Sequence, residues 1–181
     1  IANAGTRLDD LISDLLDFTR LEGGQLTFTV GPLPLAGAVT EAVARKANEL
    51  EAHVIDLDIP GDLVVMADPT ALGRVVDNLL GNAAKFSPDG STIGVRAWRQ
   101  GTDVGVSVAD HGVGIPSHEL DRIFERFYRV GGQANRRPGT GIGLAIVKEF
   151  TEAQGGRVEV ESSVGEGTTF TVFLPAGAAP G

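Results

Sequence analysis

Asn78-Leu79-Leu80-Gly81-Asn82-Ala83-Ala84-Lys85-Phe86 is the stretch on which the reading of this chain turns. On a helix, residues four apart share a face, so Asn78 and Asn82 point the same way. Lys85 follows three residues later, and Leu79, Leu80 and Ala83 fill the opposite side. Such a face offers two neutral oxygen ligands and one cation, which suits a magnesium-bound polyphosphate. Magnesium takes oxygen ligands and usually binds together with substrate phosphates. An amide ligates it without adding charge that would repel a triphosphate. Alone, however, two amides at this spacing are ordinary solvated helix residues, so the flanking sequence has to decide.

Upstream, Asp68-Pro69 supplies a capping side chain and a first-turn proline for this helix. Leu72, Val75 and Val76 continue its apolar stripe to Leu79, Leu80 and Ala83, and Ser87-Pro88-Asp89-Gly90 ends it. Before it, the pattern predicts a strand over 25–30, a helix over 35–51 with Val39, Val43, Ala47 and Leu50 inward, and a hairpin of 54–59 with 63–67 around Pro60-Gly61-Asp62. After it come strands over 93–99 and 104–109, a short helix over 117–123, and a loop over 125–140 holding Arg126, Arg129, Arg136 and Arg137. A helix over 142–154 and strands over 157–162 and 168–174 complete the pattern. Hairpins among alternating helices and strands predict an α+β fold, a two-layer sandwich of a mixed sheet covered by helices on one face.

At the start, Leu8, Leu11, Ile12, Leu15, Leu16 and Phe18 recur at helical spacing over 5–21, with Asp9, Asp10, Asp14 and Asp17 outside and Gly23-Gly24 as the stop. This helix reads either as part of a bundle or as packed on its own domain. The organisation expected is a truncated bundle helix over 1–24, a domain over 25–175 and a disordered tail over 176–181. The chain opens at Ile1 rather than at a methionine and reads as a piece of something longer.

At 181 residues, with 42% hydrophobic and 22% charged side chains, the composition is that of a soluble globular domain. No apolar run is long enough to span a membrane, and no signal peptide is visible. There is no cysteine, which excludes disulfides and thiolate chemistry and fits a cytoplasmic setting. The net charge of −9 disfavours nucleic acid as a partner. Many of the 25 glycines cluster within 112–114 and 131–143, a sign of local backbone demands.

The first cluster is Asp110-His111-Gly112-Val113-Gly114-Ile115-Pro116, after a strand. Its glycines let a flat ligand approach the backbone. Asp110 is placed to accept a hydrogen bond from an exocyclic amine, a charge-assisted bond contributing roughly 1.5–3 kcal/mol. A keto group there would be repelled, so the site would prefer adenine to guanine. The second cluster, Gly139-Thr140-Gly141-Ile142-Gly143-Leu144, opens a helix and frees backbone amides at its positive end. It is neither a Walker loop, lacking Gly-Lys-Ser/Thr, nor a dinucleotide fingerprint, its third glycine coming one residue early.

Taken in order with Phe124-Glu125-Arg126-Phe127-Tyr128-Arg129 and Gly165-Glu166-Gly167-Thr168-Thr169-Phe170, these segments resemble the ATP-binding catalytic domain of bacterial sensor histidine kinases, of the GHKL or Bergerat type. The resemblance covers roughly residues 63–175, with weaker support back to residue 7. It implies a mixed five-stranded sheet with three main helices, and ATP and Mg2+ as ligands. By resemblance, Asn82 binds the metal, while Asn78 and Lys85 sit near the phosphates with Phe86 beside them. Asp110 reads adenine, with Gly112, Gly114 and Ile115 around it. Phe124 and Phe127 match the aromatic box beside the ATP lid, and Arg129 a lid cation that reaches phosphate. Gly139, Thr140, Gly141, Ile142, Gly143 and Leu144 match the second glycine box, and Thr168 a threonine near the adenine aspartate. Catalytic roles fall to Asn78, Lys85 and Arg129. His111 stands where asparagine is common, at a position that varies.

The implied partners are a dimerisation bundle carrying the phospho-acceptor histidine and a response-regulator aspartate. The parent protein is expected to be a homodimer, with a possible membrane anchor, and this fragment a monomer. Residues 7–24 resemble the end of the bundle's second helix. Ser117-His118-Glu119-Leu120 mimics the acceptor motif, but Asp121-Arg122-Ile123-Phe124 follows instead of Arg-Thr-Pro, so His118 reads as a surface residue. His53 has no supporting context, and scattered histidines without cysteines make a poor zinc site. Related hydrolases of the same fold carry a water-activating glutamate four residues before the metal asparagine. Here Asn78 occupies that position and cannot act as a general base, while Asp77 lies about 100° around the helix. Slow hydrolysis is therefore expected. An anti-sigma-type serine kinase and a non-catalytic nucleotide-binding module are the alternatives.

Overall fold

The computed structural model describes Ile12, Leu16, Thr19 and residues 27–131 and 139–178. Ile12, Leu16 and Thr19 are helical, and both apolar side chains are exposed. The rest of the expected first helix lies outside the described residues.

Helix α3 (Pro69–Phe86) is the spine of the domain, with Ala71, Leu72, Val75, Val76, Leu79, Leu80 and Ala83 buried along one stripe. It begins as its sequence predicts. Pro69 occupies the first turn, and the Asp68 carboxylate accepts from the Thr70 and Ala71 N–H groups at 2.9 and 3.0 Å. Helices α1 (Leu35–Arg45) and α4 (Gly143–Ala153) pack on either side of it, and α2 (Ala47–Leu50) is a single short turn. The Asp68 N–H donates to Gln154 Oε1 at 2.7 Å, tying the start of α3 to the end of α4.

These helices cover one face of a five-stranded sheet in the order β2-β4-β5-β7-β6. β4 (Thr92–Gln100), β5 (Asp103–Asp110), β7 (Gly167–Pro175) and β6 (Arg157–Ser163) pair antiparallel. β2 (Val54–Asp58) joins β4 in parallel, so the sheet is mixed. Ile93, Val95, Val104, Val106, Val108, Phe170, Val172 and Leu174 face the helices and are buried. The sandwich, the mixed sheet and the three main helices are as expected.

Several local expectations need correction. The first strand, β1, is Gly31–Pro34 rather than 25–30, pairing antiparallel with β3 (Val64–Ala67) in a separate two-stranded sheet. Pro32 and Pro34 lie two residues apart, so the missing N–H groups fall on one side of the strand and the other side remains free to pair. The hairpin of 54–59 with 63–67 does not form: β2 and β3 belong to different sheets. Between them Leu63 N–H donates to Pro60 O at 3.3 Å, and neither Gly61 nor Asp62 has the positive φ that a short hairpin loop requires.

The helix expected over 35–51 breaks at Lys46. Leu35, Val39 and Ala42 are its buried residues, and the same spacing would next carry Lys46 inward. Lys46 is half-buried and Leu50, four residues on, keeps the same spacing and is buried, whereas Ala47, expected inward, is exposed. The helix expected over 117–123 is a 3-10 turn, Ser117–Glu119, continued by i→i+3 bonds to Glu125. The tail is ordered at its start: Ala176 bridges to Val65, and Gly177 N–H donates to Val64 O at 2.8 Å. Residues 179–181 lie outside those described.

Candidate functional site

The stripe that buries α3 leaves Asn78, Asn82 and Lys85 half-buried on another face of the same helix. Asn78 Nδ2–H donates to Arg74 O at 2.9 Å, one turn back, which fixes the carboxamide. Its Oδ1 points at the start of α4, where a Cβ on Gly143 would come within 2.6 Å of it. Lys85 Nζ lies 4.7 Å from the Phe86 ring centroid and so close to Gly139 that a Cβ there would overlap it. Asn78 and Lys85 therefore abut the two ends of the second glycine box. The Asn82 carboxamide makes no hydrogen bond among the described residues. Asp77 is held away from this face: its carboxylate accepts two bonds from the Arg45 guanidinium at 3.1 and 3.2 Å.

The other wall is the end of the sheet. Asp110, Thr168 and Ser162 stand directly opposite one another on β5, β7 and β6, a polar row beyond the apolar row Val108, Phe170, Val160. Asp110 is 9% exposed and Thr168 6%. Burial pushes the Asp110 carboxyl above its ordinary value, against the Gly112 and Thr168 backbone N–H groups that pull it down. The Gly112 N–H donates to Asp110 Oδ1 at 2.7 Å. A Cβ at Gly112 would lie 2.7 Å from the Phe86 carbonyl, so the end of α3 and the end of β5 meet there. Gly114 has φ 71° and packs against the Ser163 carbonyl, where any side chain would overlap. Ile115 donates its N–H to Ser162 Oγ at 2.8 Å while its side chain packs on the core.

Beside the second glycine box, Phe127 adopts a left-handed conformation (φ 61°), rare for a bulky residue, and is 59% exposed. Its N–H donates to Gly141 O at 2.9 Å, and Gly141 is itself left-handed with φ 72°. A Cβ on Gly141 would meet the Phe127 carbonyl carbon at 2.8 Å, so the two backbones are locked together. Phe124 packs edge-on against Phe170 at 6.3 Å and belongs to the core. Ile142 is 3% exposed, and the half-buried Leu144 packs on the core. Thr140 Oγ1 accepts from Ile142 N–H at 3.2 Å. Arg129, two residues past Phe127, is half-buried, whereas Arg136 and Arg137 lie outside the described residues.

The site residues expected from sequence thus gather where α3, the start of α4 and the ends of β5 and β7 converge. Ser162 was not anticipated. Its signal is a hydroxyl at an inward position of β6 after Val158 and Val160. His118 is exposed, 3.7 Å from Glu119, as a surface histidine should be. His53 is held by Ala84 O at 3.1 Å and is structural. Among the described residues no cluster of His, Cys, Asp or Glu could hold a metal by itself. A half-buried, unbonded amide beside a cationic phosphate-side face fits magnesium held jointly by Asn82 and phosphate oxygens.

The family model described as histidine kinase-, DNA gyrase B-, and HSP90-like ATPase matches residues 67–178. The chain is 36% identical over 181 residues to the circadian input-output histidine kinase CikA of Synechococcus elongatus, covering 97% of this chain and 24% of that protein. It is 36% identical over 174 residues to the sensor-like histidine kinase SenX3 of Mycobacterium tuberculosis, covering 94% of this chain and 42% of that protein. The chain thus spans less than half the length of each of these two relatives. Among solved structures it is similar to the mycobacterial sensor histidine kinase MprB, with TM-score 0.73 and 31% identity over 82% of this chain and 98% of that one. It is also similar to full-length ShkA in complex with AMPPNP, with TM-score 0.83 and 28% identity over 98% of this chain and 38% of that one.

Proposed function

The chain belongs to the histidine kinase-, DNA gyrase B-, and HSP90-like ATPase family, as an ATP-binding catalytic domain of the sensor histidine kinase type, and from that premise we propose that it presents Mg-ATP to a histidine outside its own nucleotide site. The observation that carries this reading is the meeting of Asn78 and Lys85 with Gly143 and Gly139, which sets a fixed amide and a cation against a glycine-rich helix start. A helix start carries positive partial charge, and its glycines let phosphate oxygens come close to the backbone.

In this reading Asp110, backed by Thr168, accepts from the adenine amine, and Gly112 and Gly114 admit the ring. Lys85 and Arg129 offset charge on the phosphates, and Asn82 holds the metal's protein-side position. Magnesium supplies neutralisation of the β- and γ-phosphate charge when bound. The chain's residues then position the γ-phosphate for in-line attack by an imidazole nitrogen. The N–P bond forms as the bond to the bridging oxygen breaks, ADP leaves, and the imidazole proton passes to a base on the acceptor's side. Asn78 cannot activate water, and Asp77 is occupied by Arg45, so hydrolysis stays slow. The phosphoryl group would pass on to a response-regulator aspartate. A dimeric parent acting at the cytoplasmic side, with or without a membrane anchor, completes the proposal; among the described residues no helix is long and apolar enough to cross a membrane.

The test is incubation with γ-labelled ATP and magnesium, with and without a histidine-bearing bundle of the same kinase type. Label is expected on the added bundle, acid-labile and base-stable, and not on this chain. Acid-labile label on this chain alone would contradict the external acceptor.

A further inference from the structure

The hydroxyl of Ser162 touches three groups, and their chemistry dictates where its single proton goes. Ile115 N–H donates to Ser162 Oγ at 2.8 Å. The Gly167 carbonyl, which can only accept, lies 2.9 Å from the same oxygen. Thr168 Oγ1 lies 2.8 Å away and can either donate or accept. A serine hydroxyl has one donor and two acceptor lone pairs. All three contacts are satisfied only if Ser162 donates to Gly167 O and receives protons from both Ile115 N–H and the Thr168 hydroxyl. Any other arrangement sets two lone pairs against each other in a segment where Gly167 and Thr168 are buried.

Thr168, cross-strand neighbour of Asp110, has then given its only hydroxyl proton away. Toward the ligand it shows lone pairs alone, next to a carboxylate that also only accepts. We infer that Ser162 is a positioning residue for base selection: by taking the Thr168 proton, it makes the Asp110–Thr168 edge acceptor-only, and so restricts the site to purines with an amine, rather than a keto oxygen, at the six position. The same hydroxyl anchors Ile115 and thus the first glycine box. The inference rests on the nucleotide-site reading above.

Without Ser162, the Thr168 hydroxyl turns and donates to a keto oxygen. The test is calorimetric titration of the parent chain, Ser162→Ala, Ser162→Cys and Ser162→Thr with non-hydrolysable ATP and GTP analogues, together with ligand-free melting. The parent is expected to prefer the adenine analogue. Ser162→Ala should lower that preference about tenfold, the worth of one hydrogen bond gained or lost. Ser162→Thr, which keeps the hydroxyl, should restore it. Ser162→Cys keeps the size with a weak donor and acceptor, and should fall between, which serves if the alanine variant does not fold. A lower melting temperature with an unchanged adenine-to-guanine ratio in both Ala and Cys variants would overturn the inference and leave Ser162 a structural residue. A parent that binds neither analogue would instead overturn the nucleotide-site reading on which it stands.

Discussion

Asp110 carries the most chemistry per atom in this chain. Replacing it with asparagine removes the charge and exchanges one of two acceptor oxygens for a donor, and should weaken ATP binding tenfold or more, since a charge-assisted bond is worth about 1.5–3 kcal/mol. Its acid-base behaviour gives a second check. The ionised carboxylate accepts from the amine more strongly than the neutral carboxyl, and burial raises the carboxyl above its ordinary value. Affinity should hold above the raised value and fall as pH drops through it, earlier on acidification than for an exposed aspartate. Binding constants measured across acidic pH should show this loss in the parent, and its absence in the weak residual binding of Asp110→Asn. The glycines divide by surroundings. Gly101 has φ 61° with open space around it, so Gly101→Ala should cost about 1 kcal/mol for the left-handed backbone alone. Gly141 has φ 72° and the Phe127 backbone against it, so Gly141→Ala should cost more than about 2 kcal/mol in denaturant unfolding and also disturb nucleotide binding. Equal losses at the two positions would show that the Phe127–Gly141 lock is not needed.

Helix α3 was legible in the sequence from cap to stop, because its signals are local: a capping aspartate, a first-turn proline, one apolar stripe and a terminating Ser-Pro-Asp-Gly. Asp68 also accepts from Thr29 N–H at 2.8 Å. Asp68→Ala should therefore cost about 2 kcal/mol, the upper end for an N-cap, read from chemical denaturation. A loss under about 0.5 kcal/mol would mean that packing alone sets the helix start. The glycine boxes were legible because close backbone approach admits few residues. What escaped depended on distant partners. Nothing near 54–67 says that β2 pairs with β4 while β3 pairs with β1, since those choices are made by strands far along the chain. The role of Ser162 follows from its neighbours on two other segments. Phe124 and Ile142 carried the right motif but serve as core pillars, a distinction that needs burial rather than spacing.

As a whole, the domain is a two-layer support whose open end brings α3, the start of α4 and the polar row of β5, β7 and β6 to one place. The layers are held by a core in which Phe150 is fully buried against α3 and the sheet, with Phe28 edge-on to it at 5.1 Å. The side chains proposed to hold the nucleotide sit at the edge of that core, so they can be altered without emptying it. Their division of labour predicts separable losses, with Asp110 and Ser162 governing the base and Asn82 governing the metal. Calorimetric titration of the chain with ATP and with GTP, each with and without magnesium, and repeated on Asn82→Ala, tests this most directly. The account predicts ATP bound at least about tenfold tighter than GTP, magnesium strengthening the ATP complex, and Asn82→Ala losing that magnesium-dependent gain while keeping the base preference. Equal affinity for ATP and GTP, or a magnesium gain unchanged in Asn82→Ala, would contradict it.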